Sequence, residues 1–486
     1  MEKNYDFIKG FDSLNREYTQ FTIGNSNKLP NWLRGTLLKV GPAQFKIGKT
    51  DVKHWFDGLA MLYKFEITDK EIFFSNSFIK SSQYQAHQNG KMLHDEFATK
   101  APLGILGKIK NLIGMMLGKD VLNPNCNVNI AKIADNFIAM TEVNNNMSFN
   151  QLSLGTIGKT KYIDTIKGQM TTAHPVYDNE TGELFNLLIE IAPRQIKYKI
   201  YKINTRDSNN SSILREQIAE FSKPYLFYSH SFFLTSKYII LYAGPIETSA
   251  TRLLTHSFNE ALIYNKDCKS EFIIIDRKSG NIKYLPVAPF IFLHGINSYE
   301  SEKQQLIIDL ITYENLEDNP YNKFYLEKLA QNRIDISTTI KRYTLDLELM
   351  TATSQLITDT NIEFPQINRK YHNQEYNYVW GVYGDNSRPN DFFNGLIKQN
   401  INLTNDIKVW HEAEFYPSEP IFIKNPTSND EDDGIIMTNV YDANRHISIL
   451  LFLNASDMTE IARFDLPCHI PFTLHGNFYN NIKKPL

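Results

Sequence analysis

The sequence predicts an all-β fold, and three of its features support this class. Segments of four to nine residues rich in Ile, Val, Leu, Phe and Tyr recur along the chain and are separated by Gly, Asn, Asp and Ser, as in proteins built from many short strands. Aromatic residues make up 13% of the chain, which favours strands and would also suit an apolar tunnel. Helical patterns are few, so alternating strand–helix units around a parallel sheet are not expected.

The clearest strand predictions fall on five apolar segments, at residues 183–192, 238–244, 271–287, 305–313 and 446–466. The third and the fifth each predict two strands around a polar turn. Many antiparallel strands in one long chain are compatible with a sandwich, a barrel or a propeller. Because no short repeat is visible, the residues themselves leave that choice open.

Two segments carry a helical pattern instead. Residues 322–332 predict the clearest helix. Residues 103–117 place their large apolar side chains on one helical stripe with lysines elsewhere, although four glycines weaken this prediction. The basic amphipathic stretch is too short to span a bilayer, so it would either lie in the membrane interface or cover the protein core.

Composition and charge exclude several classes of protein. The formal net charge is -3 and no long basic run occurs, so no nucleic-acid partner is expected. The three cysteines are scattered and odd in number, which predicts neither a disulfide framework nor a thiolate metal site. The N-terminus lacks the apolar core of a secretory signal. We therefore expect one domain over residues 1–486 in the cytoplasm, with peripheral contact to a membrane as an open alternative, and a solvated loop at the acidic run 429–433.

Four of the 12 histidines stand apart through their surroundings. Each lies at the edge of an apolar or aromatic run, and these residues are His174, His230, His294 and His475. The last two are followed by glycine, which permits close approach of the backbone at a crowded site. Because the four are far apart in the chain, spacing alone does not predict a metal site, as it does for paired cysteines.

Nine segments in order carry a family resemblance: GTLLKVGPAQFKIG, HWFDGLAMLYKF, TTAHPVYD, PYLFYSHSFFLT, FLHGINSYE, IEFPQIN, FYPSEPIF, NDEDDGIIM and IPFTLHGNFY. Through them the chain resembles the carotenoid cleavage oxygenase family nearly end to end, and most of all its animal branch of β-carotene oxygenases and the retinal pigment epithelium retinoid isomerase. The resemblance implies a seven-bladed β-propeller with a cap of loops and short helices over an axial metal site. It further implies that the four histidines hold one Fe²⁺ per chain.

The resemblance also implies three glutamates that orient the metal-binding histidines, pairing Glu142 with His230, Glu363 with His294 and Glu419 with His475. His174 would lack such a partner. Four neutral imidazoles leave the ion its charge and free positions for dioxygen. A carboxylate on the second ring nitrogen fixes the tautomer and the orientation of the ring. Each glutamate is flanked by apolar, aromatic or proline residues, where an unpaired charge would be costly to bury.

The activity implied by the resemblance is that of a dioxygenase, which uses O2 to cleave a carbon–carbon double bond of a lipophilic polyene, a carotenoid or apocarotenoid, into aldehydes such as retinal. Thr141 would face the open position of the metal. Stilbene-cleaving relatives carry a lysine next to the glutamate that corresponds to Glu142, and the absence of that lysine here argues against a lignostilbene-type substrate. Leu293 stands where relatives often have phenylalanine. His54 and Asp57, in HWFDG, are interpreted as structural.

The sequence leaves three other functions open. One is isomerisation and ester cleavage of a retinyl ester on the same iron, because the branch that the chain resembles contains both activities. Another is cleavage of a non-carotenoid polyene or a stilbene. The third is a propeller that serves only as a binding scaffold, which the presence of all four histidines and all three glutamates disfavours.

Overall fold

The structure is a computed structural model in which residues 6–104, 106–107, 125–192, 195–206, 213–314, 319–331, 336–385, 387–388 and 391–480 are described. Seven antiparallel sheets of four or five strands dominate this part of the chain, beside two smaller sheets. The seven follow one another in chain order as the blades of a propeller, numbered here 1 to 7. This arrangement confirms the predicted fold class.

Blades 1 to 3 come from the first half of the chain, except for one C-terminal strand. Blade 1 comprises Tyr18–Asn25, Gly35–Gln44, Leu59–Ile67, Glu71–Phe78 and Gly476–Tyr479. Blade 2 comprises Asn129–Ile133, Asn136–Met140, Met147–Phe149 and Thr156–Lys159. Blade 3 comprises Met170–Thr171, Val176–Asp178, Glu183–Ile191, Ile196–Asn204 and Glu216–Lys223.

Blades 4 to 7 follow the same antiparallel plan. Blade 4 comprises Phe233–Leu234, Tyr238–Ala243, Glu271–Asp276 and Ile282–Pro286. Blade 5 comprises Phe292–Glu300, Leu306–Tyr313, Thr338–Asp346 and Thr351–Thr358. Blade 6 comprises Ile362–Gln366, Tyr378–Tyr383, Gly395–Asn400 and Ile407–His411. Blade 7 comprises Phe415–Pro417, Ile421–Lys424, Gly434–Asp442, Ile447–Asn454 and Glu460–Asp465. All five apolar segments singled out in the sequence form strands.

The ring of blades closes through the C-terminal strand. Gly476–Tyr479 pairs antiparallel with Gly35–Gln44 in blade 1, with Asn477 opposite Leu38. It also contacts Ile421–Lys424 of blade 7. Strands from both ends of the described chain therefore lie in one sheet.

The hydrophobic core is divided into layers between neighbouring blades. Because side chains alternate across a strand, one strand supplies apolar groups to both of its faces. In Glu271–Asp276, Phe272 and Ile274 pack between blades 4 and 5, whereas Ile273 and Ile275 pack between blades 3 and 4. Burial on both faces explains why the strands have nearly continuous apolar sequences.

A cap of short elements covers one end of the ring. It includes a three-stranded sheet of Leu226–Phe227, Ile246–Thr248 and Ile263–Tyr264 and the α-helices Ala250–Thr255, Phe258–Ala261 and Leu326–Ala330. Other short elements are the α-helix Ser82–Gln88, the hairpin of Lys46–Ile47 and Thr50–Asp51, and the 3-10 helices Asp6–Phe11, Ser26–Lys28, Trp55–Asp57, Pro320–Phe324 and Arg369–Tyr371. None of the described helices has the length and apolar character needed to cross a bilayer.

The helix predicted at residues 322–332 is divided in two. A 3-10 helix, Pro320–Phe324, is followed by the α-helix Leu326–Ala330. Asn319 caps the first with its side chain. Tyr325 interrupts the pattern because its backbone is extended and forms a bridge with His54. Of the amphipathic stretch 103–117, residues 105 and 108–117 lie outside the described residues.

The acidic run 429–433 is a loop, but the prediction that it is solvated is wrong for Glu431. Glu431 is buried, and its carboxylate accepts hydrogen bonds from the backbone N–H groups of Asn377 and Tyr378 at 2.7 and 2.9 Å. Asp432 forms an ion pair of 2.5 Å with the buried Lys398. The local run of charge did not reveal these partners because they come from blade 6.

Candidate metal centre

The four histidines singled out in the sequence converge at the inner ends of four blades. One ring nitrogen from each of His174, His230, His294 and His475 lies within 4.8 Å of the other three. The His174 ring centroid is 4.4 Å from that of His230 and 4.5 Å from that of His475. His294 and His475 are buried, and the other two are partly buried. Imidazole nitrogens gathered in this way suit a single metal ion.

The local backbone aims these side chains inward. His294 lies within Phe292–Glu300 at a shift in strand register between Phe292 and Gly295, and a bulge of this kind redirects a side chain. The two glycines predicted to allow close approach do so. A Cβ at Gly295 would lie 2.4 Å from a ring carbon of Phe233, and one at Gly476 would lie 2.5 Å from Cγ of Lys39.

Each of three histidines donates its Nδ1–H to the glutamate expected for it. The distances are 2.6 Å for His230 to Glu142, 2.5 Å for His294 to Glu363 and 2.8 Å for His475 to Glu419. No carboxylate is hydrogen-bonded to His174 in the described part of the chain. With Nδ1 occupied, Nε2 is the nitrogen left to face the centre, as in metal sites where a carboxylate fixes the tautomer.

The glutamates are held in turn by further donors. The Tyr228 hydroxyl donates to Glu142 at 2.6 Å, and the Tyr313 hydroxyl donates to Glu363 at 2.7 Å. The backbone N–H of Phe364 also donates to Glu363 at 2.8 Å. Phe364 has a φ of +52°, a left-handed conformation that is uncommon for a bulky residue and is typical of functional sites.

The pKa shifts of His174, His475 and Glu363 favour neutral imidazole and ionised carboxylate. Burial, followed by repulsion from the other imidazoles, lowers the pKa of His174 well below its usual value. Burial also lowers the pKa of His475, although Glu419 opposes this shift. For Glu363, burial acts to raise the pKa, but its interaction and hydrogen bond with His294 outweigh burial and lower it. These are the protonation states that a metal ion requires of its ligands and their partners.

Two buried histidine nitrogens without hydrogen-bond partners indicate that a metal ion would fit at the centre. Nε2 of His174 and Nε2 of His294 are fully enclosed and have no hydrogen-bond partner. An unpaired buried nitrogen is costly, and an ion at the centre would satisfy both. The donor set of four imidazoles suits iron, copper, zinc or nickel rather than calcium or magnesium, which prefer oxygen ligands. The residues therefore fit a transition metal.

A cavity of about 960 Å³ opens beside the centre. Its walls reach His230, His294 and His475 and are largely apolar, with the aromatic residues Trp55, Phe56, Phe97, Tyr228, Phe258, Tyr313, Tyr321, Phe324, Phe364 and Phe393. A second cavity of about 410 Å³ reaches His174, His294 and His475 and has more polar walls. The larger cavity has the size and lining of a site for a sizeable apolar ligand.

The remaining residues named from the sequence take two different places. Thr141 and Leu293 line the larger cavity, and the role of Thr141 at an open metal position stays a prediction. His54 and Asp57 are fully buried in a network of hydrogen bonds outside the histidine cluster. There His54 Nε2 contacts the carbonyl oxygen of Tyr321 at 2.8 Å, and Asp57 accepts from the Thr99 hydroxyl at 2.5 Å.

Sequence reasoning missed the residues that hold the glutamates. Tyr228 precedes His230 by two positions, so the alternation of an extended strand would have indicated that both lie on one face. Tyr313 and Gln366, which donates to Glu419 at 2.9 Å, gave no comparable signal because they are ordinary members of strand sequences. Lys39 was also missed, because a lysine in an apolar strand resembles an exposed position.

The comparisons with known proteins agree with this geometry. The family model described as "Retinal pigment epithelial membrane protein" matches residues 11–480. The mouse protein "Beta,beta-carotene 15,15'-dioxygenase" is 27% identical over 93% of this chain and 88% of its own length. The human protein "Carotenoid-cleaving dioxygenase, mitochondrial" is 26% identical over 92% of this chain and 86% of its own length.

Solved structures show the same fold. Cobalt-substituted Synechocystis ACO superposes with a TM-score of 0.85 at 24% identity, covering 98% of each chain. An ACO/RPE65 chimera gives a TM-score of 0.84 at 24% identity, also over 98% of each chain. Since the family model spans most of the sequence, the chain belongs to the retinal pigment epithelial membrane protein family, that of the carotenoid oxygenases.

Proposed function

We propose that this protein is an iron-dependent dioxygenase that cleaves one carbon–carbon double bond of a carotenoid or apocarotenoid. The observation that carries the proposal is the convergence of four imidazoles, three of them held by glutamates, beside a large apolar cavity. In the reaction R–CH=CH–R′ + O2 → R–CHO + R′–CHO, both oxygen atoms enter the two aldehydes. The names of the relatives include carotene and carotenoid dioxygenases, which supports this substrate class.

The proposed site consists of His174, His230, His294 and His475 as ligands of one Fe²⁺. When bound, the ion supplies dioxygen binding and one-electron chemistry that closed-shell side chains cannot provide. Glu142, Glu363 and Glu419 hold three of the rings in the tautomer that directs Nε2 inward. Their carboxylates also offset the charge of the ion.

The protein itself positions the substrate and excludes water from the cavity. A polyene is long, flat and apolar, and the aromatic walls of the larger cavity offer it extended contact while excluding water. The ring of Phe364 lies 5.3 Å from His294 and 5.2 Å from His475, so this side chain would limit how deeply a substrate enters. We propose that Thr141, in the same wall, restricts the ligands that reach the open metal position.

A second proposal concerns the delivery of the substrate. Leu103 lines the larger cavity, and Leu106, three residues later, is 84% exposed. An exposed leucine three residues from the wall of an apolar cavity is favoured where lipid covers it. We propose that residues 103–117 contact a membrane surface from which a lipophilic polyene is taken up.

Analysis of products tests the proposed function. The iron-loaded protein is incubated with a panel of carotenoids, apocarotenals and retinyl esters under ¹⁸O2 and under argon, and products are separated by chromatography. We expect labelled aldehydes only with oxygen, one O2 consumed per double bond cleaved. Formation of an alcohol from a retinyl ester without oxygen consumption would instead support the retinoid isomerase activity that the family also contains.

Substitution of a ligand tests the proposed site. Substitution of His294→Ala removes one proposed ligand, and we expect it to abolish both iron binding and cleavage. The matched control is His411→Ala, because this exposed histidine lies on the outer strand Ile407–His411 of blade 6. A His294→Ala protein with full activity would contradict the assignment.

A further inference from the structure

Lys39 is a lysine that the protein buries completely, close to one of the three glutamates. Its side chain has 0% exposure, which is rare for a lysine unless a partner compensates the charge. It belongs to Gly35–Gln44 in blade 1 and stands opposite Gly476 in the strand register. Gly476 follows directly after the proposed ligand His475.

Lys39 contacts Glu419, the residue whose carboxylate accepts the hydrogen bond of His475. Its Nζ donates to the backbone carbonyl of Glu419 at 2.8 Å, and the Thr438 hydroxyl donates to the same oxygen at 2.9 Å. The Glu419 carboxylate accepts from His475 at 2.8 Å and from the Gly476 N–H at 2.9 Å. The ammonium group thus lies beside the residue that orients a ligand, although it contacts that residue's backbone and not its carboxylate.

The glycine after His475 is required by the backbone of Gly35–Gln44 as well as by this lysine, because a Cβ at Gly476 would also lie 2.5 Å from the carbonyl oxygen of Leu38. A Cβ at Gly476 would lie 2.5 Å from Cγ and 3.1 Å from Cα of Lys39, distances shorter than van der Waals contact. The aliphatic stem of Lys39 therefore passes directly across the backbone of Gly476. This packing fixes the course of the side chain toward Glu419.

The positive charge of the buried lysine balances the charge of the proposed metal centre. Three carboxylates carry a charge of −3, and a divalent ion would leave the group at −1. One buried ammonium brings the sum to zero, and a buried group of charges is tolerated when it is compensated. Burial lowers the pKa of Lys39 to about 8, while the charge of Glu419 opposes this shift, so the ammonium form predominates at neutral pH.

We propose that Lys39 is a positioning residue of the metal centre, whose fixed positive charge completes the charge balance of the three glutamates and favours the ferrous over the ferric ion. This inference rests on the proposed function, because it concerns the ion that the four histidines would hold. A nearby positive charge destabilises a trivalent ion more than a divalent one. Removing the charge therefore lowers the reduction potential of the bound iron.

The experiment measures the ferric-to-ferrous potential of the iron-loaded protein by spectroscopic redox titration. Lys39→Met removes the charge and keeps the length of the side chain, and Lys39→Gln removes the charge but keeps a donor for the Glu419 carbonyl. We expect each to raise the ferric-to-ferrous ratio at a fixed potential by about tenfold, equivalent to a drop of about 59 mV. Lys39→Arg keeps the charge and should restore the wild-type potential.

The matched control is Lys64→Met. Lys64 is also buried, lies on the neighbouring strand Leu59–Ile67, and donates from Nζ to a backbone carbonyl, that of Leu152, at 2.7 Å. We expect its loss to leave the potential unchanged.

Four outcomes separate the possibilities. An unchanged potential in a folded, iron-loaded Lys39→Met or Lys39→Gln protein overturns the role of Lys39 and leaves the proposed function intact. An equal drop in the Lys64→Met protein also overturns it, because the effect would then not depend on the metal centre. If both neutral variants fail to fold while Lys39→Arg folds, the lysine serves folding alone. A wild-type protein that binds no iron overturns the proposed function, and this inference with it.

Discussion

At the scale of single residues, the centre depends on carboxylates that fix the imidazole rings. Glu363 accepts hydrogen bonds from His294, Tyr313 and the Phe364 N–H. In Glu363→Gln, the amide NH2 group faces at least one of these donors, so the orientation of His294 is no longer enforced. We expect metal affinity to fall by about 10- to 100-fold, as is usual for such partners, and this can be measured by titration with Co²⁺ or Fe²⁺.

Glu431→Gln provides the control for this substitution. Glu431 is also buried and also accepts from backbone N–H groups, but its partners lie outside the metal centre. Its replacement should lower the melting temperature without changing metal affinity. Equal affinities for the wild-type and Glu363→Gln proteins would contradict the role given to Glu363.

The histidines and glutamates of the site were predicted from the sequence, whereas the residues that hydrogen-bond to these glutamates were not. The four histidines and three glutamates came from a family resemblance, and the structure brings each pair together as expected. Residue spacing could not have done so, because the residues belong to different blades. Tyr228 could have been found from its place two residues before His230. No local pattern distinguishes Tyr313, which donates to a buried carboxylate, or Lys39, which donates to the backbone carbonyl of Glu419, from other residues of their strands.

At the scale of elements, the His54 ring joins the 3-10 helix Trp55–Asp57 to the 3-10 helix Pro320–Phe324. Its Nδ1 accepts the Phe56 N–H at 3.1 Å, and its Nε2 donates to the carbonyl oxygen of Tyr321 at 2.8 Å. This pairing requires the neutral imidazole, because protonation would place a second N–H against the Phe56 donor. Burial lowers the pKa of His54 to about 3, whereas the hydrogen bond with Tyr321 acts in the opposite direction.

This pKa shift predicts a pH dependence of stability. Between pH 6.5 and pH 3 the unfolded chain binds a proton at His54 and the folded protein does not, so the contribution of His54 is present above pH 6.5 and is lost as the pH falls. We therefore expect the difference in unfolding free energy between wild type and His54→Gln to narrow by roughly 1 kcal/mol per pH unit from pH 6 to pH 4. Urea denaturation at several pH values measures it.

The unfolding free energy of the wild type must be compared with that of His54→Gln because other groups titrate in the same pH range. Burial raises the pKa of Asp57 to about 6, which makes the folded protein bind more protons and partly conceals the effect of His54 in the wild type. Asp57 is present in both proteins, so the difference isolates His54. A gap that stays constant from pH 6 to pH 4 would mean that folded His54 protonates normally.

Elements were predictable where their pattern was local. The strands at 183–192, 238–244, 271–287, 305–313 and 446–466 formed because apolar residues buried on both faces leave a clear signal. The helix predicted at 322–332 was interrupted because Tyr325 pairs with His54, a residue of another part of the chain. A contact of this kind overrides local propensity and has no trace in the nearby sequence.

At the scale of the whole molecule, the closure of the ring brings strands from early and late in the described chain together beside the site. We propose that residues 1–486 act as one domain, because blade 1 requires Gly476–Tyr479 and this strand begins beside His475. The order of the blades could not be derived from periodicity, since blades share a strand plan and not a repeated sequence. Only the family resemblance led to a propeller with seven blades.

The position of the cavity also governs how the substrate would arrive. A carotenoid is almost insoluble in water, so a route from lipid into the cavity lowers the cost of desolvation. Leu103 lines the cavity and Leu106 is 84% exposed. In Leu106→Glu, a charge replaces an apolar side chain where lipid contact is proposed. We expect binding to phosphatidylcholine vesicles to fall by about tenfold, the effect of losing the burial of one leucine.

Two measurements distinguish lipid contact from damage to the enzyme. Cleavage of a carotenoid dissolved in vesicles should slow in the Leu106→Glu protein, whereas cleavage of the same carotenoid dispersed in detergent should not. Leu349→Glu is the matched control, because Leu349 is 73% exposed and lies in the turn after Thr338–Asp346 of blade 5. If both variants bind vesicles as the wild type does, substrate reaches the cavity without lipid contact at Leu106, and the exposed leucine has another role.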